Sequence, residues 1–204
     1  MKKQLIATVL GCTVAAFSLP ASAQFGKLGA ALGGSGSNSS VSADSLVKSY
    51  VNGTQFVMSS NVSFLKALNM KEQAEKVEVA AKNLTQGPTT ANLEEAAKVQ
   101  TESSKAIADT MAANTVTLSA DSKKDYVRGV VELAKGIKTY TGMAGDVKNF
   151  KPGMSSIGAG AGAALYVVKT APGTLTDLKD SLARSIAFAK QNKIELPADA
   201  TAVL

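Results

Sequence analysis

Seven apolar residues, Tyr126, Val130, Leu133, Ile137, Tyr140, Ala144 and Val147, follow one another at alternating steps of four and three. Side chains spaced this way share one face of a helix, whereas a strand would throw them to both sides of a sheet. Val127, Val131 and Ala134 widen the stripe to the breadth expected of a helix packed in a globular bundle. Ser119, with Asp121 behind it, offers an N-cap, because a short side-chain oxygen satisfies an orphan amide. A stripe of this kind needs other helices to cover it, and in a chain of 204 residues those partners are expected within the chain itself.

The rest of the chain supplies them. From Ser42 onward, Leu46, Val47, Tyr50, Val51, Val57, Met58, Phe64, Leu65 and Leu68 recur at three- and four-residue spacing. Asn52-Gly53 and Ser59-Ser60-Asn61 are weak helix formers, so a kink or break is expected at one of them. Met70, Ala74, Val77, Ala81 and Leu84 form a second run, which can also be read as the first helix continued past Asn69. Gly87-Pro88 is a firm stop. A thinner stripe of Leu93, Ala96, Ala97, Ile107 and Met111 follows, opened by Thr89 or Thr90. A last helix, capped by Thr174 or Thr176, carries Leu175, Leu178, Leu182, Ile186 and Ala189, and the tail IELPADATAVL has no helical period and reads as lying extended across the bundle or fraying. No segment alternates apolar and polar residues between turn signals, so a sheet is not expected. The fold class read from these patterns is all-α: a single-domain antiparallel bundle of about five or six helices over residues 42–204.

One stretch resists that simple account. SSIGAGAGAALYVVK, residues 155–169, places Gly158, Gly160 and Gly162 at alternate positions in an otherwise apolar run between Pro152-Gly153 and Pro172-Gly173. It has neither the spaced third glycine of a dinucleotide fingerprint nor a Gly-Lys-Ser/Thr ending, which argues against a phosphate loop. Seventeen uncharged residues between Lys151 and Lys169 just reach the lower limit for a membrane span, but few of them are strongly apolar. A helix without charge on any face is more simply one surrounded by others. Three interior glycines would cost roughly 3 kcal/mol of helix propensity, so close backbone contact is expected to offset them. Alternatively the missing side-chain volume leaves a space for an apolar ligand. Tyr140, Gly158, Gly160, Gly162 and Tyr166 are therefore the candidate ligand or partner surface.

The N-terminus reads as an address. Lys2 and Lys3 precede an apolar run over residues 5–19, and Ala21-Ser22-Ala23 has the small residues of a signal-peptidase site, with cleavage expected after Ala23. A second reading takes Val9-Leu10-Gly11-Cys12 as a lipoprotein box with Cys12 lipid-anchored. Residues 24–41, rich in glycine and serine, read as a flexible leader. The expected location is thus the bacterial periplasm or the exterior.

Composition narrows the function classes. The chain has no histidine, and its single cysteine, Cys12, falls within the expected signal, so the usual general base, thiol nucleophile and zinc ligands are missing from the expected mature chain. Glu72, Glu75 and Glu78 interleave with Lys71, Lys76 and Lys82 as exposed helix-face pairs do, and no Glu-x-x-His pairing exists for a di-iron bundle. No catalytic residue, metal site or cofactor is expected. Residues 119–193 hold twelve Lys/Arg against six Asp/Glu, while residues 42–114 hold seven lysines against eight acids. The basic half reads first as a lysine-rich solvated surface, and alternatively as one that favours anionic partners such as phospholipid headgroups. Nucleic acid is not expected, since only Arg128 and Arg184 are arginines and no aromatic platform accompanies them. The reading is an exported, non-enzymatic bundle that binds a protein partner or an apolar, lipid-like ligand. Its alternative is a membrane-active protein that docks through its basic half and inserts the glycine-rich helix.

Overall fold

The computed structural model describes residues 41–151 and 160–204. The expected signal and leader, and Gly158 with the rest of 152–159, lie outside them. Among the described residues the protein is all-α. Five long helices, α1 (Ala43–Ala67), α2 (Lys71–Gln86), α3 (Thr90–Ala113), α4 (Ala120–Gly142) and α6 (Ala161–Gln191), are joined by two short ones, α5 (Ala144–Asn149) and α7 (Ala198–Thr201).

Their starts follow from side-chain caps. Ser42, Thr89 and Ser119 each accept a hydrogen bond from the amide three residues on, at Ser45, Asn92 and Ser122. Their ends use left-handed backbone at Asn69, Asn114 and Lys193, with φ of 62°, 47° and 53°. At Asn69 and Lys193 the chain doubles back so that Met70 N–H donates to Leu65 O at 2.8 Å and Ile194 N–H to Ala189 O at 2.9 Å. Asn69 therefore separates α1 from α2, rather than lying inside one helix.

The central element is α1, which packs on α2, α3, α4 and α6. Its most extensive partner is α4, and the two run antiparallel: Gly53 faces Tyr140, Val57 faces Gly136, and Phe64 faces Gly129. A Cβ added at Gly53, Gly129 or Gly136 would approach those side chains to 2.9, 2.8 and 2.8 Å, inside van der Waals contact. These three glycines let the two helices close upon each other. The backbone-contact role expected of the glycine-rich stretch thus falls to residues 53, 129 and 136, and the central helix is α1 rather than the glycine-bearing one.

No break occurs at Asn52-Gly53 or Ser59-Ser60-Asn61, where Gly53, Ser60 and Asn61 face partners. Ser60 Oγ donates to Gly129 O at 2.7 Å, and Asn61 Nδ2 donates to Ser103 Oγ at 2.8 Å and to Ser104 Oγ at 3.1 Å. Buried, satisfied polar groups tie α1 to α4 on one side and to α3 on the other.

One further expectation is corrected. Pro172 and Gly173 do not end a helix: α6 runs through both for 31 residues. An interior proline costs about 3 kcal/mol, but here Pro172 is exposed and the buried stripe keeps phase across it, from Ala164, Val167 and Ala171 to Leu178, Leu182, Ser185 and Ala189. Burial of that uninterrupted face outweighs the local penalty. The tail lies across the bundle rather than fraying: residues 194–197 are non-helical, Ile194 and Ala200 are buried, and the short α7 packs on α4.

Candidate functional site

The helix directions decide which residues meet. Since α1 and α6 run parallel and α4 antiparallel to both, Tyr50 near the start of α1 lies beside Tyr140 near the end of α4 and Tyr166 near the start of α6. The Tyr50 and Tyr140 ring centroids are 5.4 Å apart with planes at 75°, and Tyr50 and Tyr166 are 6.2 Å apart at 87°. Both pairs are edge-on, the arrangement favoured by ring quadrupoles. Thr54 Oγ1 and Tyr140 Oη share a buried hydrogen bond of 2.8 Å.

The five sequence candidates sort differently. Tyr140 is only 2% exposed, so in this conformation it is core rather than surface. Tyr166 is half-buried and touches the same cluster. Gly160 is the N-cap of α6, and a Cβ there would lie 3.0 Å from Asp44 Oδ1; one on Gly162, itself exposed in the first turn, would lie 3.3 Å from Thr90 Oγ1. Both glycines therefore sit at the tyrosine end, against the first turns of α1 and α3. Gly160 precedes the helix and Gly162 is in its first turn, so the interior propensity cost expected of them does not arise. Gly158 lies outside the described residues. Tyr50 and Thr54, which link the cluster, are additions from the fold; in the sequence Tyr50 is one more member of an apolar stripe.

The electrostatics keep these phenols neutral. Burial, then the neighbouring Tyr50 phenol and Glu94, pushes Tyr166 up to about 12. Burial, followed by the Tyr50 phenol, raises Tyr140 well above the usual range, against a smaller lowering by its bond to Thr54. At the other end of α4, burial raises Tyr126 as well, although its hydroxyl donates to Ser185 O at 2.8 Å. Buried phenols this reluctant to ionise do not act as bases or nucleophiles near neutral pH. No cluster of three or more His, Cys, Asp or Glu able to hold a metal occurs among the described residues.

Neither of two hollows in the surface coincides with the tyrosine cluster. A cavity of about 20 Å³ lies where α1, α3, α4 and α6 meet, lined by Asn61, Phe64, Ser104, Leu133, Arg184 and Ser185 among others. That volume accommodates one water. An open depression of about 440 Å³ lies at the opposite end of the bundle, between Lys123, Lys124 and Val127 of α4 and Lys193, Ile194 and Glu195 of the tail. Lys124 there pairs with Asp121 at 2.9 Å, fully in solvent. Among the described residues no helix is long and apolar enough to cross a membrane.

No protein-family profile, curated protein or solved structure matches this chain. The class is therefore defined by the architecture alone: an all-α bundle built around one central helix.

Proposed function

We propose that this chain is an exported, non-enzymatic bundle that acts by binding a protein partner at its surface. The observation that carries the reading is the small interior space. The partly open cavity of about 20 Å³ where four helices meet is more than tenfold below the ~300 Å³ at which small-molecule pockets begin. Among the described residues, the tyrosines of the expected ligand surface pack edge-on against one another. These observations favour a protein partner over an enclosed apolar ligand. Export rests on the signal pattern of residues 1–23.

The test is photocrosslinking from exposed positions in the producing cell, with a crosslinker placed in turn at Val79, Leu165, Lys124 and Lys190. A discrete protein adduct from at least one position is expected. Absence of any adduct from all four sinks the reading.

The second reading, docking on an anionic membrane, is favoured by the lysines around the open depression. Flotation with vesicles containing anionic lipid decides it. Salt-sensitive co-flotation supports docking, and protein left at the bottom at low salt removes it.

A further inference from the structure

Residue 172 is a proline inside the longest helix, and everything around it is arranged as a joint. We propose that residues 161–171 form a strap hinged at Pro172 and Gly173, which swings off the bundle while the remainder stays folded. The inference is independent of what the protein binds.

The joint itself is the first ground. Pro172 has no N–H, so the carbonyl of Val168 loses its helical donor at that step. Pro172 and Gly173 are both exposed, and a Cβ at Gly173 would find no atom within 4 Å, so nothing braces the chain there. Thr170, Thr174 and Thr176 bracket it, their hydroxyls donating to the carbonyls of Tyr166, Thr170 and Pro172 at 2.9, 3.1 and 3.4 Å. Hydroxyls bonded back in this way bend helices and offer carbonyls an alternative partner.

The second ground is unequal anchorage. The strap fully buries Ala163, Ala164, Val167 and Ala171, three of which are single methyl groups. Beyond the hinge the same helix buries Leu178, Leu182, Phe188 and Ala189. Phe188 stacks on Tyr126 at 5.3 Å, and Tyr126 Oη holds Ser185 O. One half is bolted to the core and the other rests on it.

What the strap covers is aromatic. Its one aromatic side chain, the half-buried Tyr166, meets Tyr50 edge-on, while Leu165 beside it is 51% exposed. Opening separates Tyr166 from Tyr50 and uncovers the Tyr50 ring, which is 3% exposed when closed.

Amide hydrogen exchange on the full chain tests this. Residues 161–171 are expected to exchange at least about tenfold faster than residues 178–190, as a unit opening below the global free energy. The double variant Pro172→Ala, Gly173→Ala should slow strap exchange about tenfold and leave residues 178–190 unchanged. A reversible lock gives an internal control. In a Cys12→Ala background, Thr90→Cys with Gly162→Cys puts two thiols in reach, since a Cβ at 162 lies 3.3 Å from Thr90 Oγ1. Oxidation should slow exchange in the strap alone, and reduction should restore it. Equal exchange on both sides of Pro172, or identical strap exchange in the oxidised and reduced forms, overturns the proposal.

Discussion

At the scale of single residues, the approach of α1 to α4 depends on the absence of one carbon at each of three positions. A methyl at Gly129 would meet the Phe64 ring at 2.8 Å, and Phe64 is itself buried and tilted against Tyr126 at 5.0 Å. The ring has nowhere to go, so Gly129→Ala should cost about 1–3 kcal/mol through overpacking, despite alanine's better helix propensity. Gly173→Ala, in open space on the same kind of backbone, should stabilise by about 0.5–1 kcal/mol. Urea unfolding of the two variants checks the contrast, and a shift in the same direction for both contradicts the packing described. None of this was legible in advance. Gly53 looked like a weak point in a helix and GAGAG looked like a contact surface, because sequence shows where side chains are missing but not what stands opposite.

At the scale of elements, the long apolar stripes were the legible part. Tyr126, Val130, Leu133, Ile137 and Tyr140 are all buried on α4, as their spacing implies. The stripe fails only at its end, where the chain turns at Met143 and that residue is buried in place of Ala144. Helix ends were harder to read. Asn69 and Lys193 stop helices by adopting left-handed backbone, which neither residue's identity announces as a glycine would. Pro172 gave the opposite error, since its local cost is real but the burial of a continuous face exceeds it. The tail takes the first of its two expected courses, lying across the bundle, and two buried side chains, Ile194 and Ala200, suffice to dock it; only its short helix α7 has no period to announce it. Ending the chain after Lys193 should therefore lower stability by about 2 kcal/mol, chiefly the burial of Ile194. A truncated protein with an unchanged denaturation midpoint would show the tail to be unattached.

At the scale of the whole molecule, both ends of α4 are held by buried phenols, and this gives the fold an alkaline limit. Tyr166 sits near 12 against an ordinary 10.0, and Tyr126 and Tyr140 are raised as well. The folded state keeps protons that the unfolded chain releases above 10, so stability is intact below that pH and falls as pH climbs toward 12. Melting temperature should hold level from neutrality and then drop through this window, with tyrosinate absorbance rising in step with unfolding. Tyr166→Phe should make the drop shallower, and a level melting temperature across the window would contradict the burial of the cluster. The buried aromatic packing among the described residues also supports the central claim, that this bundle works through its surface rather than by enclosing a small molecule. Native mass spectrometry of protein purified from the producing cell tests that claim most directly. The account predicts the polypeptide alone or with a protein partner and no small-molecule adduct; an apolar molecule retained at one per chain would contradict it.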